Sequence, residues 1–514
     1  MIPEPKEKIW LLPESAAMNA IVDDIGQDFT IEIEPQPAVT ITWFDTFDWR
    51  LYRRRKVLLR QNKDSWYLLR RPSGEEIVSL QGNGLVGCSF SSDFPPGRLR
   101  TVLEPILGVR RLLPLVTLDS SGVLIRFLNQ DEKVVAFLFF HEQRMRKADV
   151  VFRTVKLRGI RGYDKDFKAV SKSIRRHGIV DSVSPFYALE EGVRLTGRCP
   201  LDYSSEFSIT LKPEMSARQA TLAIFRRLLE AMQRNTPGII DDLDSEFLHD
   251  FRVALRRTRS GLALIKRVLP PEITETFKKE FAELGRVTGA ARDLDVYLLY
   301  EKDYKSRLPA SLRGGVEAFF ADIRSRREIA QKELVRSLRS PEYREMISRW
   351  HDYLDSDDGG EASENSELPI KDLAGKIILR SYRRILNDGR AIKPSSSDKK
   401  MHRLRIHCKK LRYSLEFFAS LFPPADIRTV INQLKKLQNN LGAFNDLSVQ
   451  QEMLHQYLAR LRPGSGRNQQ LASAIGGLLT SLHHEQQQVR EAFFSKFRRF
   501  ARSENTGLYK KLFG

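Results

Sequence analysis

The pattern of apolar and polar positions changes character along the chain. Apolar residues first gather in short β-rich runs, at 29–33, 39–44, 65–69, 122–128 and 134–140, with Gly, Pro, Asp and Asn between them. Short runs punctuated by turn-formers predict an antiparallel sheet. A helical pattern follows at about 165–177. From Ser216 onward, apolar residues recur three and four positions apart over long stretches, which predicts amphipathic helices. Pro213 precedes Ser216, a good N-cap, and marks the expected boundary. The pattern therefore predicts a multidomain α+β protein, with a β-rich domain over 1–212 and an all-α domain over 213–514.

The helical part repeats itself. His249-Asp-Phe-Arg252-Val-Ala-Leu-Arg256-Arg257-Thr-Arg259 matches His402-Arg-Leu-Arg405-Ile-His-Cys-Lys409-Lys410-Leu-Arg412, at an offset of 153 positions. Gly289-Ala-Ala-Arg292-Asp293-Leu-Asp295-Val matches Gly442-Ala-Phe-Asn445-Asp446-Leu-Ser448-Val at the same offset. Upstream, Phe225-Arg226-Arg227 resembles Tyr382-Arg383-Arg384. Landmarks recurring in order predict an internal duplication, read as two helical bundles about a pseudo-twofold axis. The copies would span about 213–350 and 371–512. Between them, over 351–370, Asp352, Asp355, Asp357, Asp358, Glu361, Glu364 and Glu367 occur without a single Lys or Arg, as in a solvated linker.

On a helix, Leu248, Phe251, Leu255, Leu262, Ile265 and Leu269 form a core stripe. His249, Arg252, Arg256 and Arg259 follow one position later, as a second stripe rotated by about 100°. In the second copy Met401, Leu404, Cys408, Leu411, Leu415 and Phe418 face inward, with His402, Arg405, Lys409 and Arg412 on the flank. Arg226 and Arg383 each follow an apolar anchor on the preceding helix. Residues beside a core stripe meet the neighbouring helix, so these ten side chains are expected to line a groove. Four cations on about 15 Å of helix repel one another unless an anion lies among them. Arg forks suit phosphate oxygens, and a histidine beside phosphate can donate a hydrogen bond. Asp293, Asp295 and Asp446 can be read as catalytic carboxylates. The structural reading, in which they hold arginines or cap helices at turns formed by Gly289 and Gly442, is preferred.

Charge sharpens this picture. The 514 residues carry a formal net charge of +20, with +5 over residues 1–212 and +15 over 213–514. The excess lies where the cationic stripes lie, as expected for a polyanion partner. Cys88, Cys199 and Cys408 have no metal-ligand spacing, and neither His249 nor His402 has a second ligand at such spacing, so no metal or other cofactor is expected. The longest apolar run, residues 134–140, is far too short to cross a bilayer, and no basic-then-apolar leader opens the chain. The expectation is a cytoplasmic protein. No P-loop, GxSxG or HExxH pattern is present.

At these residues the helical part resembles the CHAD family. The HDFRVALRRTR and MHRLRIHCKKLRYSLEFF segments carry the likeness, followed by GAARDLDV and KLQNNLGAFNDLSV, over roughly 213–505. The resemblance implies two four-helix bundles, a basic channel that binds inorganic polyphosphate, and association with polyphosphate granules. The N-terminal part resembles a CYTH domain, a β-barrel tunnel that handles triphosphates. The matching residues are Trp43-Phe-Asp45-Thr46-Phe-Asp48, Leu51-Tyr52-Arg53, Val57-Leu-Leu-Arg60 and Trp66-Tyr-Leu-Leu-Arg70-Arg71. Its opening E-x-E-x-K motif is partial: Glu32 and Glu34 fit, but Gln36 stands for the lysine. Later strands offer Arg126 and apolar residues where that likeness implies metal-binding carboxylates.

The leading expectation is a non-catalytic polyphosphate-binding protein. The alternatives are a metal-dependent triphosphatase or polyphosphatase in the N-terminal tunnel and, less favoured, a nucleic-acid binder, since the stripes lack aromatics for base stacking.

Overall fold

The computed structural model describes residues 6–13, 18–62, 64–71, 73–82, 85–179, 182–356, 363–461 and 466–514. The chain divides into two compact units, Met1–Ser205 and Glu206–Gly514. The helical unit thus begins several residues before Pro213. Phe207 packs edge-on against Phe417, and the Leu211 N–H donates to the Ser420 hydroxyl at 2.8 Å, so this lead-in segment is held by the helices.

The first unit is an antiparallel sheet of eight strands: β1 (Glu7–Leu11), β2 (Thr30–Asp45), β3 (Lys56–Gln61), β4 (Ser65–Arg70), β5 (Glu76–Gln81), β6 (Leu113–Leu128), β7 (Val134–Met145) and β8 (Val150–Gly159). Their order is β1-β8-β7-β6-β2-β3-β4-β5. The predicted runs at 29–33 and 39–44 are one long strand, β2, whose register with β6 shifts between Gln36 and Val39. Five helices accompany the sheet: α1 (Met18–Gly26), α2 (Arg50–Arg53), α3 (Arg98–Leu107), α4 (Asp164–Arg176) and α5 (Tyr187–Leu195). Alternate residues of β6 and β7, among them Ile125, Phe127, Leu138 and Phe140, are buried against Ile21 and Ile25 of α1 and Phe167 and Val170 of α4. The Trp43–Asp48 motif has a structural role here. The buried Asp45 carboxylate accepts the N–H groups of Thr46, Leu51 and Tyr52, tying the end of β2 to α2.

The second unit is helical: α6 (Ala217–Ile240), α7 (Ser245–Leu264), α8 (Pro271–Leu299), α9 (Glu301–Arg307), α10 (Ala310–Arg313), α11 (Glu317–Leu338), α12 (Pro341–Asp355), α13 (Ile370–Arg390), α14 (Asp398–Phe417), α15 (Pro424–Leu458), α16 (Gly466–Phe500) and α17 (Ser503–Phe513). The duplication predicted from the motifs extends to helix boundaries. The starts of α6, α7 and α8 recur at α13, α14 and α15 with the same offset of 153, and α7 and α14 are each 20 residues long. Start signals recur too: Pro271 and Pro424 open α8 and α15, where a missing N–H costs nothing. Ser216 caps α6, accepting the Gln219 N–H in a reciprocal capping box. The Phe225-Arg226-Arg227 and Tyr382-Arg383-Arg384 segments are displaced relative to this register, the second lying one turn farther along its helix. In the first repeat α6, α7, α8 and α11 pack in succession, and in the second α13, α14, α15 and α16 do the same. Both predicted core stripes are buried throughout.

Two expectations need correction. Gly289 and Gly442 do not form turns; both lie inside long helices, α8 and α15, so Asp293, Asp295 and Asp446 cap no helix end. Nor is the acidic stretch simply a solvated linker. Asp352 and Asp355 belong to α12, Asp355 pairs with Arg226 at 2.9 Å, and Glu364 pairs with Arg267 at 2.6 Å. Asp357, Asp358 and Glu361 lie outside the described residues.

Candidate anion-binding site

The site is built where the two signature helices meet. α7 packs against α14, and the backbone of Gly261 approaches within van der Waals distance of Phe225 and Phe417. Arg257 reaches across this contact to Glu416 at 2.7 Å, and Glu416 also holds Arg412 at 2.6 Å. The crossing brings Arg256 of the first repeat near Arg405 and Lys409 of the second, with Arg252 beside Arg256. Lys409 feels this crowding: burial, then Arg405 and Arg256, pull its ammonium down to about 8. Burial, with Arg256 adding to it against the pull of Asp446, also moves Arg405 below the ordinary guanidinium value.

Arg252 lies against α8. Its Nη1 donates to the Gly285 carbonyl and the Thr288 hydroxyl, both at 2.9 Å. Gly285 and Gly289 are one turn apart on that helix and leave room for guanidinium groups. A Cβ at Gly285 would stand 2.8 Å from Arg259 Nη1, and one at Gly289 3.4 Å from Arg252 Nη1. Gly285 thus permits close approach of a guanidinium, whereas a Cβ at Gly289 of the G-A-A-R-D segment would meet Arg252 in ordinary van der Waals contact. Burial lowers Arg252 too, opposed by Asp293 and reinforced by Arg256, Arg292 and Arg259.

Carboxylates do not balance this cluster. The Nε–H groups of Arg252, Arg256 and Arg405 are buried without an acceptor. Neither Arg256 nor Lys409 has an ion-pair partner among the described residues; Asp446 stands 3.5 Å from Arg405. Asp293 contributes through the field of Arg252, Arg292 and Arg256, although burial dominates and raises its carboxyl above the usual range. Asp295 is turned elsewhere, binding Arg327 at 3.0 Å in a structural ion pair.

Each histidine is oriented by the residue 43 positions on. Arg292 Nη2 donates to His249 Nδ1 at 3.0 Å, while His402 Nδ1 donates to Asn445 Oδ1 at 2.5 Å. Arg292 was absent from the predicted site residues, and its place in the repeated G-A-A-R-D segment was the available signal.

A cavity of about 570 Å³ opens beside this cluster, lined by His249, Arg252, Arg256 and Arg292 on one side and by Asn445 and Asp446 on the other. An adjoining cavity of about 810 Å³ includes His402, Lys399 and Asn445. Not every predicted residue joins them. Arg226 is exposed and pairs with Asp355; Arg383 and Arg259 are exposed; Arg412 is engaged by Glu416. Of the predicted residues, Arg252, Arg256, Arg405 and Lys409 form one charged cluster, while His249 and His402 each line one of the two adjoining cavities.

In the N-terminal unit, Glu34 pairs with Arg126, and Glu32 lies 3.8 Å from the same guanidinium. An arginine already compensates these carboxylates, so the donor set does not fit a divalent metal. Among the described residues no group of three or more His, Cys, Asp or Glu could hold one. Among them, too, no helix is long and apolar enough to cross a membrane.

Comparison with known proteins finds partial matches. An uncharacterized protein of Mycobacterium tuberculosis is 27% identical over 218 residues, covering 41% of this chain and 40% of the relative. The alignment thus spans well under two thirds of that protein. The CHAD domain of the plant Ricinus communis is 26% identical, with a TM-score of 0.48, covering 57% of this chain and 96% of that one. A putative adenylate cyclase of Bacillus halodurans is 15% identical, with a TM-score of 0.25, covering 35% of this chain and 91% of its own. The CHAD family model matches residues 223–455, the stretch that contains both signature helices and both G-A-x-x-D segments, and this part of the chain is a CHAD domain.

Proposed function

We propose that the helical unit binds inorganic polyphosphate in the groove where α7 crosses α14, without catalysing its breakdown, and that this carries the protein to polyphosphate granules. The observation that carries the reading is the under-compensated cluster of Arg252, Arg256, Arg405 and Lys409, with three buried guanidinium Nε–H groups lacking acceptors. Gathering such charges is unfavourable in the empty protein and favourable once an anion enters. Contributions from both repeats suit a chain of linked phosphates, which offers regularly spaced charge over a longer path than one phosphate does. The CHAD resemblance points to the same ligand.

The test is binding of long-chain polyphosphate to the full-length protein across a salt series. Affinity should fall steeply with salt, because bound phosphates release counterions. The Arg252→Glu/Arg405→Glu double variant should lose binding while keeping its helical circular dichroism. Retained affinity in that variant would remove the proposed site. Single-stranded nucleic acid should compete poorly with polyphosphate, and equal competition would favour a general polyanion site.

A further inference from the structure

The 570 Å³ cavity has a second character that a bare phosphate chain does not use. Besides its arginines, the cavity is lined by Val296, Tyr297, Leu299 and Tyr300 of α8 and Val449 of α15. Two of these are among the most exposed large apolar residues of the protein, Leu299 at 48% and Val449 at 51%. Tyr297 is fixed beside them, its hydroxyl donating to the Val449 carbonyl at 3.4 Å. An inorganic polyanion gains nothing from wetted aliphatic and aromatic surface.

The wall from α15 is polar in a way that also disfavours phosphate alone. Asn445, Asp446, Val449 and Gln450 fall on one helical face and enter the same cavity. A carboxylate repels phosphate oxygens, whereas it accepts from hydroxyl and amino groups, and the two amides can both accept from and donate to such groups. The cavity thus joins His249, Arg252, Arg256 and Arg292, with the Asp293 carboxylate among them, to apolar surface and the hydrogen-bonding groups of α15. Its volume falls within the range that encloses a drug-sized molecule.

We infer that this cavity binds a nucleoside polyphosphate, with the phosphates on Arg252, Arg256 and Arg292 and the nucleoside against Leu299, Val449 and Asp446. The inference rests on the proposed anion site for its phosphate end and adds an organic end to it. A base supplies a flat apolar face for Leu299 and Val449, and a ribose diol supplies donors for a carboxylate. A purine covers more of the apolar wall than a pyrimidine does, so ATP should bind more tightly than CTP.

The experiment compares ATP, CTP and inorganic tripolyphosphate binding to the full-length protein by calorimetry, at matched ionic strength and without divalent cations. ATP should bind roughly ten-fold tighter than tripolyphosphate, because it alone buries the apolar wall. Leu299→Ser/Val449→Ser, a change at exposed positions, should abolish that advantage and leave tripolyphosphate affinity unaltered. Arg256→Gln should weaken all three ligands. ATP binding no tighter than tripolyphosphate would overturn the inference while leaving polyphosphate binding intact. An ATP preference that survives the Leu299→Ser/Val449→Ser change would place the nucleoside elsewhere and equally overturn it. If neither long-chain polyphosphate nor tripolyphosphate binds, the proposed anion site itself fails, together with anything built on it.

Discussion

Arg292 donates a hydrogen bond to His249 Nδ1, and since a guanidinium has no acceptor, the imidazole must present an unprotonated Nδ1 to it. His249 is therefore neutral with its proton on Nε2. At the corresponding place in the second repeat, a carbonyl oxygen of Asn445 accepts from His402 Nδ1, which fixes the opposite tautomer. Long-range proton–nitrogen NMR correlations should show the Nε2–H form for His249 and the Nδ1–H form for His402 near pH 8. Arg292→Asn should convert His249 to the His402 pattern, and no change would mean that other contacts orient the ring.

Lys409 links ligand affinity to pH. Its ammonium, held near 8 by burial, Arg405 and Arg256, loses its charge as the pH passes through that value. Polyphosphate affinity should therefore decline between about pH 7 and pH 9, and Lys409→Arg should flatten the decline. The sign for folding is the reverse. A lysine with a folded-state value below its unfolded one destabilises the fold while charged, and this is relieved as pH rises from about 8 towards the ordinary lysine value. Thermal melts at pH 7 should show Lys409→Met more stable than the parent and weaker in polyphosphate binding.

Gly285 should uncouple stability from binding. A methyl group there meets the Arg259 guanidinium at 2.8 Å, and a flexible arginine can move aside. Alanine is favoured over glycine in a helix interior by about 1 kcal/mol. Gly285→Ala is expected to keep or raise the melting temperature while leaving polyphosphate affinity within about two-fold, because Arg259 is exposed and stands outside the lining of the cavity beside the cationic cluster. A fall in melting temperature of several degrees would show that the backbone, rather than the side chain, gives way.

Arg226 and Arg256 occupy similar positions beside apolar anchors yet should behave differently. Arg226 is exposed and bound to Asp355, whereas Arg256 lines the cavity without an ion-pair partner. Arg256→Gln should weaken polyphosphate binding about ten-fold, the scale of one charge-assisted contact. Arg226→Gln should leave it within about two-fold. Equal losses, measured in one salt condition, would spread the site over the whole flank.

Much of the helical unit can be read from periodicity, because an amphipathic stripe constrains every third or fourth residue. Leu248, Phe251 and Leu255 are buried, and the cations one position later stand beside the neighbouring helices. Glycine is harder to read. Gly289 looks like a turn because an isolated glycine often marks one, yet it lies inside α8, and it is Gly285, one turn earlier, that makes space for a guanidinium from another helix. Ion-pair partners are equally non-local: Asp355 is 129 residues from Arg226, and no spacing rule reports the contact. In the β-rich unit β1, β3, β5 and β8 fall outside the run pattern. β8 mixes buried residues with half-buried Arg153 and Lys156 and exposed Arg158, so an apolar run does not mark it.

The 153-residue recurrence of helix starts has a consequence for the chemistry of the groove. A dimer of identical subunits would alter both walls whenever one codon changed. Here each wall has its own codons, so arginine can orient one imidazole while asparagine orients its counterpart, and a single molecule can grip the two ends of an unsymmetrical guest differently.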